Sequence, residues 1–204
     1  MIPAEESLQR LKDGNQRFVN ETRSSGHVAE SRRREVAESQ NPFAIILGCS
    51  DSRVPAEIVF DQGLGDLFVI RVAGNIVAPS QIGSVEFGVA RFGVKLVVVM
   101  GHSKCGAITA TLEEMGRRSE EQSRNLRSIV DRVRPSVEAL MATDLRHDHD
   151  ALVAAAVRAN VRASSNQLRH GSQMIEQMIQ NDGLRVVGAE YSLESGVVEF
   201  FDTL

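Results

Sequence analysis

The run Phe43 to Leu47 (FAIIL) is apolar at every position. A strand with one wet face alternates apolar and polar side chains, so an unbroken run marks a strand buried on both faces. Asp66 to Val72 (DLFVIRV) and Lys95 to Met100 (KLVVVM) repeat that texture. Leu184 to Glu190 reads as a fourth strand, and Val197 to Phe201 as a fifth, after a Glu-Ser-Gly turn at 194–196. Between the strands the period changes. Ile82, Val85, Val89 and Phe92 step by three, four and three, which predicts a helix over 81–92. Helical pattern also covers 4–20, 105–115, 122–141 and 150–181. Strands alternating with helices build a mainly parallel sheet covered on both faces. The predicted fold is therefore α/β, with about four parallel strands, a C-terminal antiparallel strand and flanking helices.

The chain has 204 residues, which suits one domain. Residues 1–35 read as an N-terminal helical arm and 36–204 as the α/β core. Gly14 weakens the first helix by about 1 kcal/mol relative to alanine. Residues 21–30 are polar and read as a loop; Arg32, Arg33 and Arg34 read as a solvated helix face. Pro135 is expected to kink or split the helix over 122–141. The segment Thr143 to Asp150 (TDLRHDHD) is the most loop-like interior stretch.

Charge narrows the function. Lys plus Arg is 23 and Asp plus Glu is 27, so the net charge is −4. That balance offers no basic footprint for nucleic acid. Aromatic residues are 4% with no Trp, too few to build a base-stacking platform. No apolar run approaches the roughly 20 residues that span a bilayer. The first residues carry Glu5 and Glu6 without an apolar core, so they do not read as a secretory signal, and the expected location is cytoplasmic.

Chemistry gathers just past two strands. FAIIL is followed by Gly48-Cys49-Ser50-Asp51-Ser52-Arg53, and KLVVVM by Gly101-His102-Ser103-Lys104-Cys105-Gly106. In open parallel sheets, ligands bind beyond the carboxyl ends of strands. Two such ends can bring two thiols, an imidazole, a carboxylate and a guanidinium to one place. Cys, Cys and His form a soft donor set suited to zinc, with a fourth position left for water or for Asp51. Arg53 stands two residues beyond Asp51, on the same side of extended backbone, where it can hold the carboxylate ionised and oriented. Spacing alone leaves three readings open: a metal site, two buried structural thiols, or a disulfide. A disulfide fits poorly in a reducing compartment.

At these residues the chain resembles the β-class carbonic anhydrases. The likeness lies in Gly48-Cys-Ser-Asp-Ser-Arg-Val54, Arg71-Val-Ala-Gly-Asn75, Ser84-Val-Glu-Phe87 and Gly101-His-Ser-Lys-Cys-Gly106. It extends loosely from the N-terminal arm to about residue 201. The resemblance implies reversible hydration of CO₂ to bicarbonate and a proton by zinc-bound hydroxide, with one Zn²⁺ per chain. Cys49, His102 and Cys105 would be the ligands. Asp51 and Arg53 would form an orienting pair, with Asp51 able to ligate zinc in some members or at low pH. The Gly106 N–H would help place a substrate oxygen. The family implies a homodimer or dimer of dimers, each site lined by both subunits.

Two family subtypes are separable here. One keeps an open zinc and lines the pocket with Gln, Phe and Tyr. Gln40, nine residues before Cys49, and Phe68 match the first two, while Phe87 stands at the tyrosine position without its hydroxyl. The other subtype uses a regulatory bicarbonate pocket with a Trp three residues before the first Cys. That position is Ile46 here, so Arg71 lacks its aromatic companion. The open form, with Asp51 on Arg53, is expected.

The remaining candidates read more plainly. His147 and His149 suit a solvated loop, His27 the surface and His170 an exposed helix face. Gly63 and Gly65 suit a turn, and Asn75 suits turn chemistry. Cys49 and Arg53 are too close in sequence for a phosphate-cradling loop. Two other functions share the metal set: hydrolysis of a CO₂-like sulfur compound on the same fold, and zinc binding without turnover. A purely structural site has no use for the Asp51–Arg53 pair.

Overall fold

The computed structural model describes residues 2–24, 29–115 and 123–201; the expectation for His27 lies outside the described residues. Helix α1 (Ala4–Val19) carries Glu5 and Glu6 in its first turn and Arg17 in its last, each charge opposing the local end of the helix dipole. Its inward face is Ser7, Leu11, Gly14 and Asn15. The Asn15 amide donates to the carbonyls of Val59 and Gly196, and its oxygen accepts from the Val198 N–H at 2.8 Å. Arg17 pairs with Asp61 at 2.6 Å. These bonds seat α1 on its own chain. Gly14 is explained by the same contact: a Cβ there would lie 1.9 Å from the Phe60 carbonyl oxygen.

Helix α2 (Glu30–Glu35) follows. Arg33 and Arg34 are exposed on it, as a solvated face requires. Arg32 departs from that expectation. It donates to Asp66 and to the Leu64 carbonyl, both at 2.9 Å, because the 63–66 turn comes within its reach.

The central sheet has the order β2-β1-β3-β4-β5. Strand β1 (Ala44–Gly48) is buried at all five positions. A short helix α3 (Ala56–Val59) leads to β2 (Leu67–Arg71). Helix α4 (Pro79–Phe92) starts with proline, whose missing N–H costs nothing in a first turn, and ends on Gly93 at φ 63°. Strand β3 (Leu96–His102) runs two residues beyond the apolar run, so His102 is its last residue. Then come α5 (Gly106–Glu114), α6 (Arg124–Val137), α7 (His149–His170) and α8 (Gln173–Asn181). Strands β4 (Arg185–Tyr191) and β5 (Val198–Phe201) close the sheet. The first four strands are parallel and β5 is antiparallel to β4.

Three stretches differ from expectation. Pro135 lies inside α6, and the helix expected over 122–141 continues to Val137 and then tightens into a 3-10 stretch over Glu138–Ala142. The segment 150–181 is two helices. Gly171 ends the first and Ser172 caps the second, its hydroxyl accepting from the Ile175 N–H at 3.2 Å. Within 143–150, Asp144–His147 forms a 3-10 turn and Asp148 caps α7 by accepting from the Ala151 N–H.

Because successive strand side chains point to opposite faces, each face gathers its own core. Ile46, Val98, Met100, Val187 and Ala189 pack with Leu11 and Phe60 on one face. Ile45, Leu47, Val97, Val99 and Val186 pack with Val85, Val89, Val161, Leu168 and Ile175 on the other. Each such side chain contributes roughly 1.5–3 kcal/mol by leaving water. A third cluster, from α5, α6 and α7, covers the carboxyl ends of β1 and β3 and encloses Cys49 and Cys105.

The close approach at Gly14 makes a testable reversal of helix propensity. Gly14→Ala should favour an isolated α1 yet destabilise the protein by about 2 kcal/mol, because the methyl meets backbone. A lower urea midpoint with an unchanged slope would show it; an unchanged or higher midpoint would contradict the contact.

Candidate metal centre

The register of β1 and β3 builds the centre. Gly48 lies beside Met100, so Cys49, the first residue past β1, comes level with the last two residues of β3, Gly101 and His102. Cys49 and Cys105 are free thiols, with sulfurs 4.0 Å apart. A disulfide would hold them at about 2.05 Å, which removes that reading. Their donor atoms and that of His102 all lie within 4.8 Å of one another. His102 is fully buried. Its Nδ1 lies 2.8 Å from the Ser103 carbonyl oxygen, which can only accept, so Nδ1 carries the hydrogen. That leaves a lone pair on Nε2, and Nε2 has no hydrogen-bond partner among the described residues. A buried nitrogen is rarely left so.

The donor set fits zinc. A tetrahedral ion with Zn–S of about 2.3 Å spaces two sulfurs about 3.8 Å apart. The pair here needs almost no movement. The second coordination layer is present as well, in the Ser103 carbonyl on Nδ1. Hydrogen bonding with Cys105 holds the Cys49 thiol well below its ordinary pKa, and the same contact with burial pushes Cys105 up.

Asp51 stands at the rim, outside that three-residue group. Arg53 grips it with Nε on Oδ1 at 2.9 Å and Nη2 on Oδ2 at 2.7 Å, and the Arg53 N–H adds a third bond at 3.0 Å. This side-chain pairing holds the Asp51 carboxyl well below the usual carboxylate range. Oδ2 is 3.7 Å from His102 Nε2, close enough to face a ligand in the centre. Gly106 is the first residue of α5, and a Cβ there would meet nothing within 4 Å, so space opens at the helix start.

Gln40, Phe68 and Phe87 are not brought to this centre within the chain. Gln40 precedes β1 and Cys49 follows it, so they lie beyond opposite ends of one strand. Phe68 is level with Ile45, and its ring is 6.1 Å from that of Phe87. Phe87 is 54% exposed. His147, His149 and His170 are exposed, and His170 meets Glu176 at 3.4 Å.

Several supporting contacts were not read from the sequence. Arg71 braces the cysteine loop, donating to the carbonyls of Asp51 at 2.8 Å and Cys49 at 3.3 Å. Glu194 clamps the other loop through Ser103 at 2.9 Å and Lys104 at 2.5 Å. Asn160 on α7 is 2% exposed and donates to the Gly74 carbonyl. The signal for it was available. Val153, Val157, Asn160 and Ser164 share one buried stripe, and an amide there needs a partner.

Residues 44–198 match the family described as carbonic anhydrase. The chain is 40% identical over 189 residues to the carbonic anhydrase of Mycolicibacterium smegmatis, covering 93% of this chain and 89% of that one. It is 37% identical to carbonic anhydrase 2 of Mycobacterium tuberculosis, covering 91% and 87%. Among solved structures, the β-carbonic anhydrase CcaA superposes with a TM-score of 0.75 at 26% identity, over 96% of this chain and 95% of that one. A tetrameric β-carbonic anhydrase from Sordaria macrospora gives 0.73 at 27% identity, over 83% and 85%. Fold and site thus define an α/β lyase built around a buried Cys-His-Cys group. The chain belongs to the β-class carbonic anhydrases, which are carbonate dehydratases.

The Arg53 grip predicts a pH effect in metal-free protein. Asp51 is more acidic folded than unfolded, so its pairing contributes stability in full above the unfolded value of about 3.9. That contribution is lost as pH falls through the lower, folded value. Arg53→Ala should return the Asp51 carboxyl to the ordinary range in a carbon-detected NMR titration. An unmoved titration would place the cause elsewhere.

Proposed function

We propose that this chain hydrates CO₂ reversibly to bicarbonate and a proton, using one Zn²⁺ held by Cys49, His102 and Cys105. The observation that carries the reading is the buried three-donor group whose imidazole Nε2 has no other partner among the described residues. Bound zinc supplies Lewis acidity, which makes water a nucleophile near neutral pH. Asp51 accepts a hydrogen bond from the attacking water and aims its lone pair at carbon. Arg53 keeps Asp51 ionised and turned inward, so the carboxylate orients and does not ligate. The Gly106 N–H, at the start of α5, offers a donor to a substrate oxygen, as helix N-termini do. The two free thiols suit a reducing compartment such as the cytoplasm.

Gln40, Phe68 and Phe87 complete the site from the other subunit of a homodimer in this reading. Their distance from Cys49 along β1 supports it, as does the exposed aromatic group of Phe87 with Phe68 and Phe92. One relative of similar fold is described as tetrameric. Phe87 presents CO₂ with an apolar wall and no hydroxyl.

Metal analysis should find about one zinc per chain, and stopped-flow hydration of CO₂ should rise from pH 7 to 9 as water ionises. Asp51→Ala should keep zinc and lose about 100-fold in turnover. Loss of zinc instead would make Asp51 a ligand, and active protein free of metal would overturn the assignment. Phe87→Asp should shift the chain to monomers in sedimentation velocity and lower activity with zinc retained. A dimer of wild-type strength would remove Phe87 from the interface.

A further inference from the structure

We infer that Asn160 is a positioning residue for the metal centre, acting through Gly74 to hold that residue's backbone N–H on the Cys49 sulfur. This deepens the zinc reading and rests on it. The Gly74 N–H lies 3.4 Å from Cys49 Sγ, a hydrogen bond to a ligand sulfur buried from water. The same residue's carbonyl accepts from Asn160 Nδ2 at 2.8 Å. Asn160 therefore grips one end of a residue whose other end addresses the metal ligand.

The turn needs such a grip. Gly74 has φ 68° and Asn75 has φ 42°, two consecutive residues in the left-handed region. A non-glycine residue persists there only where its surroundings hold it. The turn is also tied around Cys49 on both sides. The Val72 N–H donates to the Gly48 carbonyl at 3.1 Å, and the Ser50 N–H donates to the Val72 carbonyl at 3.3 Å. A Cβ on Gly74 would stand 3.2 Å from Ala107 Cβ on α5, so the peptide has little room to swing.

Helix α7 reaches the second ligand strand at the same place. A Cβ on Gly101, the residue before His102, would lie 2.6 Å from Val161 Cγ2, and Val161 follows Asn160. One helix thus braces the backbone beside His102 by packing and the backbone beside Cys49 by a hydrogen bond. An N–H donor on a thiolate lowers its electron density and fixes its lone pair, which tunes the ion it binds. Removing the grip frees Gly74 to turn about its φ and ψ and withdraw its N–H from sulfur.

The test uses Asn160→Leu, which keeps the bulk and removes the donor. Zinc release to a chromophoric chelator should quicken by about 10- to 100-fold. In the cobalt-loaded variant the sulfur-to-cobalt charge-transfer band should move to longer wavelength, because a thiolate without its N–H donor gives up electrons more readily. Leu168→Ala, elsewhere on the buried side of α7, should lower thermal stability and leave the band in place. Unchanged release and spectrum in Asn160→Leu would overturn the inference, as would an equal band shift in Leu168→Ala. Wild-type protein that takes up neither zinc nor cobalt would instead defeat the metal reading itself. Should Asn160→Leu fail to fold, the unaltered chain loaded with an NMR-active cadmium isotope serves. Through-hydrogen-bond couplings should join the Gly74 amide to the metal and the Asn160 side-chain nitrogen to the Gly74 carbonyl carbon. Absence of either coupling would overturn it.

Discussion

Parallel pairing of β1 with β3 is the constraint on which the centre depends. It sets Gly48 beside Met100, and everything chemical follows from the next few residues of each strand. Both strands are buried along their whole length, so their carboxyl ends are held by core packing. A slip of one residue in either would exchange the faces of every side chain on it and send the ligands to opposite sides. Core packing thus brings the donors of both segments to one place.

Burial then shapes the charge. Cys49 and Cys105 lie within an apolar cluster of α5, α6 and α7, where two adjacent thiolates would repel strongly. The contact between them lowers the Cys49 thiol and raises that of Cys105, and a divalent cation held by the pair would relieve the repulsion. Outside the cluster the polar groups are arranged to serve the loops. Arg71 holds the carbonyls of the cysteine loop, Glu194 holds Ser103 and Lys104, and Arg53 holds Asp51. The arrangement keeps the three donors buried and the Asp51–Arg53 pair at the rim.

Much of this was legible in the residues. Unbroken apolar runs announce strands buried on both faces, and the change to a period near 3.6 announces the helices between them. Limits appeared where a local signal met a tertiary one. Pro135 lies inside α6, and the α-helix gives way to a 3-10 stretch after only two more residues. The break between α7 and α8 was missed because the apolar period continues across Gly171, while Ser172 supplies a cap that only matters once its hydroxyl finds the Ile175 N–H. Arg32 looked like one of three equivalent surface charges until the 63–66 turn came beside it.

The sequence by itself determined the strand and helix texture, the donor types, and the placing of Asp51 two residues from Arg53, where the pairing is local. These are properties of short segments, and neighbours along the chain suffice to specify them. Only the tertiary structure decided that Gln40, Phe68 and Phe87 lie away from their own chain's sulfurs. It alone decided that Arg71 braces a loop, and that an amide from α7 reaches the turn beside Cys49. Those contacts join segments far apart in sequence. Their existence depends on strand order and helix packing, which no local pattern of residues encodes.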